Sequence, residues 1–366
     1  MKLTIISHDL SSNAAMRAHR LGLAGQRFAE VELLGPVADS GAWSALPPEP
    51  WIRTVPKRRF PAFFDSFRTL VERADGDLLI AVKPNLASFG AALVAAERRR
   101  VPVILDLDDL DTALAPAEAW ESTPSMADLA RPGSAVYTSL LTRAVGAADA
   151  ITVASRALQR RFGGTLVPHG ALTDVLDPAL VDRERARREV GFEQPTVLFP
   201  GTPRDHKGVR ELAEAVRRLE NTRLAVLCRP GDLTGPDWQR FRILRLPQVP
   251  LLEVGRVLAA ADVVAIPQLD DEAGRHQTPM KVFDAMAMGR PIVATRVSDL
   301  PEVLDGCARL VRPGAVDELA SALAALLGEP DDARALGERA RKRAVERYST
   351  AQVAAILRGV VSRAAR

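Results

Sequence analysis

The segment Phe199-Pro200-Gly201-Thr202-Pro203-Arg204-Asp205-His206-Lys207-Gly208 joins an apolar run of β type to an amphipathic run of helical type. Gly201 lets a ligand approach the backbone closely, and Arg204 and Lys207 bring two cations to the same turn. Paired, oriented donors at the start of a helix suit a diphosphate. The spacing is not that of a Walker A loop, which needs Gly-Lys-Ser/Thr after its first glycine. The plain alternative is a Pro/Gly turn with solvated charges.

A second segment, Gln277-Thr278-Pro279-Met280-Lys281-Val282-Phe283-Asp284-Ala285-Met286-Ala287-Met288-Gly289-Arg290-Pro291, reads as the start and body of a helix. Thr278 is the expected N-cap, with Pro279 at the first helical position. Such a start presents the free backbone N–H groups that follow Pro279, from Met280 and Lys281 onward, and the positive helix end, to an anion. Asp284 lies one turn inside, where a carboxylate can accept hydrogen bonds from ribose hydroxyls. The alternative is a buried helix carrying a Lys281–Asp284 surface pair.

The N-terminal half carries polar groups at three expected strand ends: His8, Lys83 and residues 106–109. In open α/β sheets the C-terminal strand ends hold the ligand, so His8, Lys83, Asp108 and Asp109 are expected to bind an acceptor. Asp106 and Asp108 alternate on one face, which leaves magnesium open as a reading; acceptor binding or loop structure is preferred. Ser11-Ser12-Asn13 precedes the first helix, and Ser12 and Asn13 can wrap phosphate or acceptor there. His19 falls inside that helix and reads as structural. Lys57-Arg58-Arg59-Phe60-Pro61-Ala62-Phe63-Phe64 mixes basic and aromatic residues that can meet an anionic membrane or an acceptor. A loop with its phenylalanines turned inward is the favoured reading.

Short β-type runs alternate with helical ones throughout, which implies parallel α/β layers. Strands are expected at 3–7, 31–34, 78–82, 103–107 and 150–153, and then at 197–199, 224–227, 263–266, 292–294 and 308–311. Helices are expected at 13–23, 87–99, 134–147, 156–162, 209–219, 252–260, 280–288 and 317–327, with two more over 331–366. The polar, charged stretch 174–189 suggests a boundary. The expected organisation is an N-terminal domain over 1–172, a C-terminal domain over 173–348 and a terminal helix over 349–366. Two Rossmann-like domains of this kind face each other across a cleft.

The length of 366 residues fits two domains, and 47% hydrophobic residues suffice for two cores. A net charge of +3 gives no general case for nucleic-acid binding. No stretch approaches the ~20 apolar residues of a membrane span, and the opening Met1-Lys2-Leu3-Thr4-Ile5-Ile6-Ser7-His8 is too short an apolar run for a signal peptide. Two cysteines, Cys228 and Cys307, have no zinc or disulfide spacing. A cytoplasmic location is expected.

Together the two glycine- and helix-bearing segments resemble the C-terminal domain of family 4 glycosyltransferases. The family's Met-Ala-x-Gly-x-Pro-Ile-Val-Ala-Thr is similar to Met286-Ala287-Met288-Gly289-Arg290-Pro291-Ile292-Val293-Ala294-Thr295. Ala261-Asp262-Val263-Val264-Ala265-Ile266-Pro267, Leu300-Pro301-Glu302-Val303 and Leu310-Val311-Arg312-Pro313-Gly314 continue the likeness. It covers residues 195–330 closely and the N-terminal half weakly. The resemblance implies a GT-B fold and metal-independent transfer, with retention, from a nucleoside-diphosphate sugar to a small-molecule or glycan acceptor. It implies Lys207 and Arg204 on the diphosphate, N–H groups near Pro279, Met280 and Lys281 on the distal phosphate, and Asp284 on the ribose. The base is implied near Arg229 and the Gln248-Val249-Pro250 turn.

Three positions depart from the family. Its paired glutamates, with seven residues between them, are replaced by His276 and Asp284, and the arginine usual after the first glycine is Thr202. His276, where the first glutamate meets the sugar, can donate or accept, and Asp270, Asp271 or Glu272 can supply a carboxylate instead. The implied chemistry is stabilisation of the leaving diphosphate by Lys207, Arg204 and the helix start. The departing phosphate oxygen then takes the acceptor proton. A weakly active nucleotide-sugar-binding subunit and a sugar-nucleotide epimerase of related architecture are the alternatives.

Overall fold

The computed structural model describes residues 1–114 and 123–366. They divide into two compact units, Met1–His169 with Thr350–Arg366, and Gly170–Ser349.

The first unit is a parallel sheet of seven strands: β1 (Lys2–Ser7), β2 (Glu30–Val37), β3 (Ile52–Pro56), β4 (Leu78–Val82), β5 (Val103–Leu107), β6 (Ala150–Val153) and β7 (Thr165–Leu166). Their order is β3-β2-β1-β4-β5-β6-β7. Helices α1 (Ala15–Gly25), α2 (Phe63–Arg73), α3 (Ala91–Arg99), α4 (Ala135–Arg143) and α5 (Arg156–Phe162) lie between strands. Central parallel strands covered by crossover helices are unbroken apolar runs. β4 is Leu78-Leu79-Ile80-Ala81-Val82, buried at every residue. Strand order reverses between β1 and β4, the topological switch where such sheets bind ligands. The C-terminal helix Thr350–Ala364 packs on α1, and Arg358 stacks 5.4 Å from the Phe28 ring centroid.

The second unit is a parallel sheet of six strands: β8 (Thr196–Phe199), β9 (Arg223–Cys228), β10 (Ile243–Pro247), β11 (Val263–Ile266), β12 (Ile292–Thr295) and β13 (Arg309–Val311). Their order is β10-β9-β8-β11-β12-β13, so the switch falls between β8 and β11. Its main helices are α6 (Arg183–Val190), α7 (Val209–Arg217), α8 (Leu251–Ala260), α9 (Met280–Ala287), α10 (Val316–Gly328) and α11 (Pro330–Arg343).

The alternation of strands and helices is as expected, with instructive differences. β3, β7 and β10 are additional strands, and all three lie at sheet edges. Edge strands are covered less and carry charges and prolines; β10 reads Ile243-Leu244-Arg245-Leu246-Pro247 with no fully buried residue. The charged stretch 174–189 is not simply a linker. It holds much of α6, capped by Asp182, whose Oδ1 accepts from the Arg185 N–H at 3.0 Å. The helix ends at Gly191, in the left-handed region at φ 80°. Arg183 and Arg187 pair with Asp262 at 2.6 and 2.9 Å, and Asp262 also accepts from the Thr196 N–H at 2.8 Å. Charge therefore anchors this helix to the sheet.

Candidate functional site

In the second unit the two segments meet at the switch point. β8 ends at Phe199, and the chain passes Gly201 into a turn at Asp205–Lys207 before α7. Gly208 sits at φ 64°, and a Cβ there would lie 2.0 Å from the Pro267 carbonyl oxygen. Only glycine fits this close approach to the end of β11. The turn in front of it buries Lys207, at 9% exposure. Arg204 is exposed on the same loop. Thr202 Oγ1 accepts from Gln248 Nε2 at 2.8 Å, which ties this loop to the turn after β10. Val249 is half-buried in that turn.

The start of α9 differs from the expected cap. Met280 is the first helical residue, and Pro279 holds the N-cap position with ψ 124° and no side-chain cap. Thr278 instead faces Ser298, Oγ1 to Oγ at 3.3 Å, and is buried. A proline N-cap brings no side-chain oxygen to the first N–H groups, which have no intrahelical partner. Gln268 Nε2 donates to the carbonyls of Gly274 and Gln277, both at 2.7 Å, and thereby holds the preceding loop.

The Lys281 side chain is the component missed in the sequence. It does not form a simple surface pair with Asp284. Its Nζ lies 4.7 Å from the Phe199 ring centroid, and Lys207 is near enough to act on it. A Cβ on Gly201 would fall 2.1 Å from that Nζ, so Gly201 makes the room for the lysine tail. Burial holds the Lys281 amine well below the ordinary lysine range, Lys207 and Arg204 push it further down, and Asp284 opposes them. Asp284 is buried on α9. Sequence spacing gives no sign that residues 201, 207 and 281 converge.

His276 closes the short helix Glu272–His276, and its Nδ1 donates to the Glu272 carbonyl at 2.8 Å, which fixes the ring. Two of the nearby carboxylates are committed locally. Asp271 caps this helix through the Gly274 N–H at 2.7 Å, and Asp270 pairs with Arg275 at 2.7 Å. Arg229 follows β9 and is engaged by Asp232, whose Oδ2 accepts from the Arg229 backbone N–H at 2.8 Å.

In the first unit the strand ends at the switch also gather charge. Lys83 follows β4 at φ 72°. Its Nζ lies 3.0 Å from Asp108, 2.8 Å from Asp109 and 2.9 Å from Asp111. Burial pushes the Asp108 carboxyl up to about 7; Lys83 pulls it down, while Asp109, Asp111 and Asp106 push it up. Burial lowers His8 to about 4, with Lys83 adding to the effect. Asp111 was not singled out from the sequence.

Asp106 does not join this cluster as a metal ligand beside Asp108. It takes a two-pronged pair from Arg17 and a 2.6 Å bond from Thr152 Oγ1. Those donors occupy both of its oxygens. Ser12 and Asn13 precede α1 and contribute backbone carbonyls, bonded by the N–H groups of Ala15 at 3.1 Å and Met16 at 3.2 Å. His19 is buried and stacks on Trp51 at 5.4 Å. In the basic-aromatic segment Phe63 is buried and Phe60 packs on it at 5.0 Å, but Phe64 is 63% exposed, so the inward reading holds only in part. Lys57 is paired with Asp9 at 2.8 Å. Among the described residues no helix is long and apolar enough to cross a membrane.

Residues 194–329 match the glycosyl transferases group 1 family. Over 161 residues the chain is 44% identical to the MMP alpha-(1->4)-mannosyltransferase of Mycolicibacterium hassiacum, covering 41% of this chain and 38% of that protein. Over 204 residues it is 32% identical to the D-inositol 3-phosphate glycosyltransferase of Corynebacterium jeikeium, covering 50% and 47%. The chain spans about half the length, or less, of these curated relatives. The sucrose-phosphate synthase structure from Thermosynechococcus elongatus aligns with a TM-score of 0.73 at 17% identity, over 99% of this chain and 98% of that one. Anabaena HepE in complex with UDP and glucose aligns with a TM-score of 0.71 at 15% identity, over 99% and 100%. Residues 194–329 are thus a glycosyl transferases group 1 domain, carried in a chain with the two-unit α/β fold of GT-B glycosyltransferases.

Proposed function

We propose that this chain is a glycosyltransferase that moves a sugar from a nucleoside-diphosphate sugar to an acceptor hydroxyl with retention of anomeric configuration. The observation that carries this reading is buried Lys207, next to Gly208 at the end of the β8 loop and near enough to the start of α9 to act on Lys281. A cation there and the first N–H groups of α9 stabilise the charge that develops on the leaving diphosphate. Exposed Arg204 approaches the same oxygens, and Asp284 accepts from the ribose. His276, with its ring fixed by Glu272, meets the sugar. A departing phosphate oxygen takes the acceptor proton, so the reaction needs neither a separate strong base nor a metal.

The mannosyltransferase and inositol-phosphate glycosyltransferase relatives, and a structural neighbour holding UDP, support a nucleotide-sugar donor. The first unit, with His8, Ser12, Asn13, Lys83, Asp108 and Asp109 near its strand ends, is the acceptor side, and the second unit is the donor side. Free, buried Cys228 and Cys307 suit a reducing cytoplasm.

The test is a panel of nucleoside-diphosphate sugars, scored for binding, hydrolysis and transfer, with the product anomer assigned by NMR. Losing one preorganised donor in Lys207→Ala is expected to lower kcat by about 10²–10³. Absence of nucleotide binding and turnover across the panel overturns the reading, and an inverted product overturns retention.

A further inference from the structure

We propose that the side-chain ammonium of Lys281 is a third cation of the donor diphosphate site, working beside Lys207 and Arg204. This inference rests on the donor-site reading above. Three observations carry it. The Lys281 tail lies in the space left by Gly201, where a Cβ would fall 2.1 Å from Nζ and 2.6 Å from Cε. Its Nζ is 4.7 Å from the Phe199 ring centroid, at the strand end where the phosphate loop begins. Buried Lys207 is also close enough to Lys281 to push its ammonium down, so two amines share a partly dehydrated site.

Two adjacent amines without an anion cannot both hold a full charge cheaply, because like charges at short range disfavour one another. The charged groups facing Lys281 are Lys207 and Arg204 from the β8–α7 loop, and Asp284 from α9 itself. Of these groups acting on the Lys281 ammonium, two are cations and one is a carboxylate, and the cations and burial prevail. A diphosphate supplies opposing negative charge. Its arrival favours the protonated form of Lys281, so a proton is taken from solvent onto Nζ as the nucleotide binds. The sign follows from linkage. The bound state holds more protons, so affinity falls as pH rises between the free-state and bound-state ionisations of Lys281.

The arrangement also gives Gly201 a second role. Besides letting the ligand approach the backbone, it keeps the lysine tail against the phosphate loop. A methyl group there displaces the flexible end of Lys281 rather than the backbone.

The experiment measures binding of UDP, GDP and ADP to the full chain by calorimetry, in buffers of different ionisation enthalpy. The range is about pH 7.5 to 9.5, above the last phosphate ionisation at about pH 6. Wild-type protein is expected to take up a fraction of a proton and to bind more weakly as pH rises. Lys281→Met is expected to bind about tenfold more weakly at the low end of that range, with no proton uptake and a flat pH dependence. Lys281→Arg, a permanent cation, is expected to retain binding but lose the uptake. Thermal melting without nucleotide tests folding; Lys281→Met is expected to melt no lower than wild type, since a crowded cation is removed. Unchanged affinity and unchanged uptake in Lys281→Met overturn the inference and leave the donor site standing. Failure of the wild type to bind any of the three nucleotides overturns the donor-site reading itself.

Discussion

The guanidinium of Arg17 and the carboxylate of Asp106 form a two-pronged buried pair, Nε to Oδ2 and Nη2 to Oδ1 both at 2.8 Å. The two side chains are 1% and 0% exposed. Arg17 also donates to the carbonyls of Val167 at 2.8 Å and Pro168 at 3.0 Å. One arginine on α1 thus ties the end of β5 to the segment that follows β7. The pair is the floor on which the Lys83–Asp108 cluster stands, because Lys83 N–H donates to the Asp106 carbonyl at 2.9 Å.

Arg17→Met removes one partner and leaves a buried, partly uncompensated carboxylate. Such a loss costs about 3–5 kcal/mol, which is expected as a lower denaturation midpoint for the first unit. The double variant Arg17→Met with Asp106→Leu is expected to recover part of it, since no charge then remains buried. A single variant no less stable than wild type in chemical denaturation contradicts this account.

Asp108 makes the first unit sensitive to pH. Its carboxyl is pushed up to about 7, so between the ordinary carboxylate range and about 7 the folded state holds a proton that the unfolded chain has released. Its contribution is therefore fully present at low pH and is lost as pH rises through about 7. His8 acts in the opposite sense. Lowered to about 4, it contributes stability above its ordinary range and loses it as pH falls toward 4. The two slopes partly cancel, so the whole-protein profile hides both. Asp108→Asn isolates one of them. Relative to wild type, its melting temperature is expected to rise progressively as pH goes from about 4 to about 8. A difference that stays constant over that range argues against a displaced Asp108.

Asp284 is the ribose residue of the proposed donor site. A hydrogen bond to a charged group contributes about 1.5–3 kcal/mol, so Asp284→Asn is expected to weaken nucleoside diphosphate binding by roughly ten- to a hundredfold. The substitution is expected to have little effect on the affinity for the nucleotide that lacks the contacted ribose hydroxyl. Equal losses for the ribo- and deoxyribonucleotides in titration calorimetry assign Asp284 to structure instead.

Much of the architecture is legible in the chain because central parallel strands are apolar on both faces. The runs at β1, β4, β8 and β11 have few other ways to be satisfied. Edge strands β3, β7 and β10 lack that signature, since a half-covered strand tolerates Arg53, Arg245 and flanking prolines. The helix α6 was obscured by its own arginines, whose partner Asp262 lies far off in sequence.

The glycine-bearing loop after β8, the Gly208 turn and the helix bearing Asp284 were determined by the sequence itself, because each is a local matter of backbone freedom and helix spacing. Tertiary structure decided which charges share a site. It turned Asp106 away to Arg17, moved Thr278 from the cap to Ser298, and brought Asp111 to Lys83. It also laid Lys281 across Gly201 against Lys207. Residues 201 and 281 meet because β8 and β11 are neighbours at the sheet's switch point, and strand order is a property of the packed sheet that no local window contains.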